Sequence, residues 1–335
     1  MKYFVFLYGI FSFFVVLFIT PWLIRYLKKI GLVVKDQNKE SKPLVPISGG
    51  LAVLFGIMAG LMLFLFVRTF FSGFTTIGLV LNNYNLVVLF SAALSILTVT
   101  IIGFLDDLII DKSHDGSVGL KQWQKPLLTL IAAVPLMVIK IGTTDMGLPF
   151  IGVVDFGIFY ALILVPLGFV GSSNMVNMLA GFNGLEAGMG IVYTGMLGLY
   201  AYVNDSYVAA LIALLTFCSL IAFFIYNRSP AKILPGDSLT YLLGAIIAVI
   251  AIVGNLERAA LICSIPFILE LILKSRARLH AHNYGYFKDG KIMSLHGKHV
   301  YSLTHLFTRT GRFTENQIVY SFMIIELIIS SLIWI

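Results

Sequence analysis

The sequence predicts an all-α integral membrane protein of about ten transmembrane helices, with a small β-hairpin in its last cytoplasmic loop, folded as one domain over residues 1–335. Three observations carry this expectation. Hydrophobic residues make up 59% of the 335 and charged residues only 12%, whereas soluble domains carry about 25% charged residues. About ten apolar runs are long enough to be read as spans in a sliding window. Finally, 19 of the 23 Lys and Arg fall in alternate gaps between those runs, the asymmetry that the positive-inside rule describes.

The runs lie near 4–24, 49–67, 86–105, 127–141, 156–172, 187–203, 207–226, 238–254, 259–273 and 317–335. The first follows Met1-Lys2 and lacks a small-residue cleavage site, so it reads as an anchor and not a signal peptide. The fourth is short and interrupted by Pro135. The gaps after the first, third, fifth, seventh and ninth runs hold the basic residues, which makes those gaps cytoplasmic and puts both termini outside. Only Lys2, Arg68, Lys140 and Arg258 fall elsewhere. The net charge of +7 is thereby explained by membrane orientation, so nucleic acid is not expected as a partner. Cys218 and Cys263 fall inside spans and read as small core hydrophobes. In the longest gap, 274–316, aromatic and polar residues alternate around Asp289-Gly290, a hairpin-turn dipeptide, and a short amphipathic helix is expected near 302–307.

The chemistry is expected from the cytoplasmic gaps. The first contains Asp36, Asn38, Lys39 and Lys42, then Ser48-Gly49-Gly50 opening the second span; glycines at a helix start let backbone N–H groups approach an anion. The second opens on Asp106-Asp107, two adjacent carboxylates at the end of a run able to cross a bilayer. Such a pair is costly beside hydrocarbon and marks a place where a metal, a proton or a cationic group is handled. Asp111 and Asp115 continue the spacing of four, as in aspartate-rich prenyltransferase sites, but Gly116 and Ser117 favour a solvated loop, and Lys121 and Lys125 follow. The third gap is rich in amides, with Asn174, Asn177 and Asn183 among Gly181, Gly184 and Gly188, and Glu186 as its one charge. Amides both donate and accept, which suits a base edge, a sugar or an oxygen-coordinated metal, and also suits plain interhelical bonding. In the fourth gap, Pro235-Gly236-Asp237-Ser238 offers Asp237 either as a helix cap or as a cation ligand. The fifth holds Arg276, Arg278 and five of the six histidines. Its arginines fit phosphate; His280 and His282 alone are weak support for zinc.

Asp106-Asp107 with Lys125, the run at 174–188 and Gly236-Asp237 occur here in the order found in polyprenyl-phosphate N-acetylhexosamine-1-phosphate transferases, which the chain resembles over essentially its full length. The segment Asn183-Gly184-Leu185-Glu186-Ala187-Gly188 resembles the archaeal and eukaryotic UDP-GlcNAc:dolichyl-phosphate branch, whereas bacterial members usually have Asp-Gly at that point. Arg276-Ala277-Arg278 stands where that branch has Arg-His-Arg, and the spacing from Asp107 to Lys125 is closer to bacterial members; together with the compact last loop this favours an archaeal source.

The resemblance implies ten membrane helices and a cytoplasmic site using Mg²⁺, with Mn²⁺ as a substitute. The reaction it implies joins UDP-N-acetylglucosamine to a dolichyl or polyprenyl phosphate and releases UMP, the first membrane step of N-glycan assembly. On the matching positions, Asn177 and Asp237 would bind the metal and Lys125 the diphosphate. Asn174, Asn183, Gly184, Glu186 and Lys39 would surround the nucleotide-sugar, with Asn183 reading uracil and Arg276 and Arg278 holding sugar and phosphate. Asp106 and Asp107 would orient the lipid phosphate or take its proton. A phosphate monoester has a second pKa of about 6, so the nucleophile is largely dianionic at neutral pH and needs no strong base. The same reaction with another UDP-N-acetylhexosamine, for a cell-wall or surface polymer, is the nearest alternative. A secondary transporter would show related halves and mid-membrane sites, and a flippase would not need all these motifs together. The oligomeric state, a homodimer included, stays open at this point.

Overall fold

The computed structural model describes residues 4–71, 83–109, 119–140, 142–148 and 152–335. In chain order it contains α1 (Phe4–Lys29), β1 (Val33–Lys35), β2 (Leu44–Pro46), α2 (Gly50–Phe70), α3 (Asn83–Ile109), α4 (Gln124–Val138), β3 (Asp145–Leu148) and β4 (Gly152–Asp155). A π-helical turn at Tyr160–Leu164 leads into α5 (Val165–Met178), followed by α6 (Leu185–Val203), α7 (Tyr207–Asn227), α8 (Gly236–Gly254), α9 (Glu257–Cys263) and α10 (Ile265–Ser275). The last loop carries β5 (Gly285–Lys288), β6 (Lys291–Ser294) and α11 (His305–Thr308), before α12 (Glu315–Ser331).

Among the described residues, seven helices are long and apolar enough to cross a membrane, fewer than the ten expected spans. The other three positions are helical but fall short for separate reasons. Helix α4 has only 15 residues. Helix α6 is diluted by Glu186, Thr194, four glycines and three tyrosines. The ninth span is broken at Ser264 into α9 and α10, with Pro266 near the start of the second piece, where a missing N–H is tolerated. The apolar side chains that stay exposed, such as Phe18 and Trp22 on α1 and Ile324 and Ile328 on α12, form the outer surface that a bilayer covers. This is a multi-pass membrane protein.

Helix α8 is the axis of the bundle: every residue from Ser238 to Ile252 is buried, and it packs on α2, α3, α5 and α7. The crossing with α3 is close because Gly103 faces the backbone of Asp237 and Ser238, where a Cβ would collide. That contact, one turn before the acidic pair, brings the end of α3 against the start of α8.

The predicted hairpin forms as β5 and β6, pairing Lys288 with Lys291. Asp289 and Gly290 both take positive φ, 49° and 78°, as a two-residue primed turn requires. The expected helix at 302–307 is a single turn, α11. Two short hairpins were not expected: β1–β2 in the first gap and β3–β4 between α4 and α5. Asp111 and Asp115 lie outside the described residues.

Candidate active site

A cavity of about 810 Å³ opens at the end of the bundle where the first, second, third, fourth and fifth predicted cytoplasmic gaps converge, each of them contributing to its lining. Its floor is a cation held between carboxylates. Lys125, at the start of α4, places Nζ 2.7 Å from Asp106 Oδ2 and 2.7 Å from Asp237 Oδ2. Asp106 is further fixed by the backbone N–H of Leu120 (2.6 Å) and the hydroxyl of Tyr241 (3.1 Å), both donating to it. Asn177, the last residue but one of α5, donates to Asp237 Oδ2 at 3.4 Å and accepts from the Thr240 hydroxyl at 3.0 Å. Asp237, Thr240 and Tyr241 share a face of α8 through their three- and four-residue spacing.

The acidic pair divides. Neighbouring residues on a helix point about 100° apart, and only Asp106 lines the cavity. Asp107 is fully buried and takes donors on both oxygens: the backbone N–H of Asp237 at 2.7 Å on Oδ1, and the Ser48 hydroxyl at 2.8 Å with the Ser238 N–H at 3.3 Å on Oδ2. Asp107 therefore caps the start of α8 from a different helix, where its charge also complements the helix dipole. Gly236, at φ 69°, allows the approach, since a Cβ there would strike the Asp107 carboxylate. Asp237 is not the cap of its own helix: no side-chain cap bond is present at that end.

The amide-rich segment forms one wall. Asn174 lines the cavity while donating to Thr129 Oγ1 and the Val170 carbonyl. Asn183 and Glu186 line it too, and both are buried. Glu186 Oε1 accepts the N–H of Gly181 at 2.9 Å, and Oε2, buried, has no partner among the described residues. Gly184, at φ 92°, starts α6 behind this wall and does not line the cavity.

Three expected contacts sit elsewhere. Lys39 pairs with Glu315 and donates to Ser229 Oγ at 2.7 Å, and is not part of the cavity wall. Arg276 and Arg278, exposed where α10 ends, are also outside the lining. From the same gap, Lys274 and His282 line the cavity. Lys274 donates to the Met178 carbonyl at 2.6 Å, so a cation from the last gap does reach the wall, one turn earlier than the arginines. The helix keeps its turn through Ser275 and the backbone then reverses, with Arg278 and Leu279 at positive φ, which swings the arginines away from the cavity.

Residues to which the sequence assigned no particular role are mostly ones that hold others. Glu315, at the first position of α12, accepts from the Asn183 N–H at 3.0 Å and from Lys39 and Ser229. Asn38 donates to the Gly181 carbonyl at 2.6 Å and accepts from Gly285 N–H at 3.1 Å, tying the first gap to the amide-rich loop and the hairpin. The Thr314-x-x-Gln317 capping box was the one local signal that marked the start of α12.

The donors around Lys125 also suit a hard divalent cation: two carboxylates and an amide, all oxygen-bearing, gathered about a point already occupied by positive charge. No cluster of three or more His, Cys, Asp or Glu able to hold a metal exists among the described residues, so such a cation would need Asn177 and substrate oxygens to complete its shell.

Residues 89–255 match the family described as glycosyl transferase family 4, a stretch that contains Asp106, Asp107, Lys125, the amide-rich run and Asp237. A Saccharolobus solfataricus protein provisionally named UDP-N-acetylglucosamine–dolichyl-phosphate N-acetylglucosaminephosphotransferase is 36% identical over 92% of this chain and 89% of its own length. A Sulfolobus acidocaldarius protein with the same provisional name is 33% identical, over 96% of this chain and 92% of its own. The phospho-N-acetylmuramoyl-pentapeptide-transferase of Lactiplantibacillus plantarum is 33% identical over 77% of this chain and 78% of its own. With relatives matched over nearly their whole length and the family match spanning the residues gathered around the cavity, the chain belongs to glycosyl transferase family 4, as a membrane-embedded glycosyl-1-phosphate transferase.

Proposed function

We propose that this protein transfers N-acetylglucosamine-1-phosphate from UDP-N-acetylglucosamine to a dolichyl-type polyprenyl phosphate, releasing UMP, at the cytoplasmic face of the cell membrane as the first membrane step of lipid-linked glycan assembly. The observation that carries the reading is Lys125 held between Asp106 and Asp237 on the floor of a cavity at the end of the bundle. The two relatives with the dolichyl-phosphate name support the choice of substrates. The basic residues gathered on that side support its orientation.

An oxygen of the lipid phosphate attacks the sugar-bearing β-phosphorus. A new P–O–P bond forms, the bond from β-phosphorus to the bridging oxygen breaks, and UMP leaves with that oxygen. Repulsion between two polyanions is the main obstacle, and positive charge placed where negative charge gathers reduces it. Lys125 supplies one such charge at the floor, and Lys274 a second at the wall. Asp106 faces the cavity and orients the incoming phosphate through Lys125. Asn174, Asn183 and Glu186 line the side on which the nucleotide-sugar lies. Asp237, Asp106 and Asn177 would hold Mg²⁺, which when bound neutralises diphosphate charge.

The test is UMP release by purified protein given a polyprenyl phosphate and a panel of UDP-sugars. Activity with UDP-N-acetylglucosamine, lost in a chelator and restored by Mg²⁺ or Mn²⁺, is the expected result. Activity restricted to another UDP-N-acetylhexosamine would move the protein to the alternative reaction, the same transfer for a cell-wall or surface polymer. Absence of UMP release with every sugar would overturn the proposal.

A further inference from the structure

Tyr241 stands behind the floor of the cavity, fully buried on α8 and outside the lining. It touches both members of the Asp106–Lys125 pair. Its hydroxyl donates at 3.1 Å to Asp106 Oδ2, the same oxygen that Lys125 holds at 2.7 Å. Its ring lies beside the ammonium, with Nζ 5.8 Å from the centroid, within cation–π reach. A phenol placed behind the lining acts on a ligand only through this pair.

Lys125 lines the cavity, and it can serve a phosphate only by giving up part of its hold on the two carboxylates. Asp237 tolerates that, because 26% of its side chain is exposed and Asn177 donates to the same oxygen. Asp106 has no such recourse to water, at 1% exposure. Its Oδ1 accepts the Leu120 N–H at 2.6 Å. Once the ammonium turns away, the donor left on Oδ2 among the described residues is the Tyr241 hydroxyl. A buried carboxylate oxygen without a donor is far more costly than one that keeps a hydrogen bond. The phenol's bond therefore stabilises the state with Lys125 on a substrate more than the state with Lys125 on Asp106.

We infer that Tyr241 is a positioning residue, the reserve donor that lets Lys125 pass from Asp106 to a phosphate oxygen of the substrate. The inference rests on the proposed use of a UDP-sugar, whose diphosphate is the group that calls on Lys125. A nucleoside without phosphate leaves Lys125 on its carboxylates and gains nothing from the hydroxyl. The phosphate-dependent part of binding is where Tyr241 acts.

The experiment measures affinities for UDP directly and for uridine by competition, calorimetrically at fixed Mg²⁺, on the full chain in nanodiscs. The wild type is expected to bind UDP more tightly. Tyr241→Phe keeps the ring and removes the hydroxyl, so UDP affinity falls about tenfold, one hydrogen bond's worth, while uridine affinity holds. In Asp106→Asn no charge is left bare when Lys125 turns away, so adding Tyr241→Phe changes UDP affinity no further. Equal losses for UDP and uridine in Tyr241→Phe, the result a merely structural phenol gives, overturn the inference. Unchanged UDP affinity in Tyr241→Phe, or an undiminished loss in the Asp106→Asn background, overturns it as well, and all three leave the UDP-sugar reading intact. If Tyr241→Phe does not fold, the double variant against Asp106→Asn decides: a further loss of UDP affinity overturns the inference, and none supports it. A wild type that binds UDP no tighter than uridine overturns the inference, since Lys125 then serves no phosphate. One that binds neither removes the UDP-sugar reading and the inference together.

Discussion

Asp107→Asn tests whether the acidic pair contains two reacting carboxylates or one. Asp107 receives three donors, at 2.7, 2.8 and 3.3 Å, with no exposure to solvent. An amide keeps one acceptor oxygen and places NH₂ against the rest. Whichever way it turns, at least one backbone N–H at the start of α8 loses its acceptor, at a cost of about 1–3 kcal/mol for an orphaned buried donor. The surviving bonds fall from charge-assisted to neutral, about 1 kcal/mol each, and the helix start loses its negative partner, about 0.3–1 kcal/mol. The sum, about 3–5 kcal/mol, is large enough to lower the melting temperature of the purified protein by several degrees. Asp106→Asn retains an oxygen for the Leu120 N–H and leaves Lys125 on Asp237, so its melting temperature should move less while kcat falls more. Thermal unfolding and UMP release measured on the same preparations separate the two. An Asp107→Asn protein that melts with the wild type yet has lost turnover would refute the capping role and return Asp107 to the chemistry.

Lys125→Met leaves Asp106 and Asp237 without their shared cation, and breaking a buried ion pair costs about 3–5 kcal/mol. Melting in a chelator should therefore drop, and Mg²⁺ should restore more of it in the variant than it adds to the wild type; equal Mg²⁺ effects would count against a metal at these oxygens. Asn38→Ala frees the Gly181 carbonyl and the Gly285 N–H, so limited proteolysis should cut the β5–β6 hairpin faster than in the wild type. His305, buried in the last loop, donates from Nε2 to the His282 carbonyl and accepts the Tyr301 N–H on Nδ1. Burial, with the nearby charges of His296 and Lys274, holds its pKa below the ordinary value of 6.5. The unfolded chain therefore takes up the proton first: the stability from this histidine is complete above pH 6.5 and is lost as pH falls through the lower folded value. Melting temperature should decline from pH 7.5 to 5, and His305→Gln should flatten that decline.

The sequence by itself determined the membrane class, the helix order and the β5–β6 hairpin, because each is written in a local pattern. A long apolar run, a basic gap or an Asp-Gly turn needs no distant partner to be read. It also determined which segments gather at the site, since Asp106, Lys125, Asn174, Asn177, Asn183, Glu186 and Asp237 each stand in a polar gap on the same side of alternating spans. Tertiary structure decided which way each side chain faces and what it touches. Asp106 and Asp107 are indistinguishable as adjacent letters, and only the crossing of α3 over the start of α8 turns one to the cavity and the other into a cap. Three cations read alike in the sequence as substrate contacts, yet α12 brings Glu315 beside Lys39, and the chain reverses after α10 so that Lys274 lines the cavity while Arg276 and Arg278 do not. The β1–β2 hairpin escaped notice because three-residue strands are too short to show alternation. Asp36 with Asn183, and Asn38 with Gly181 and Gly285, are joined across 147, 143 and 247 residues. No window along the chain spans such separations, and the hydrogen bonds that tie these segments together exist only once the helices have packed.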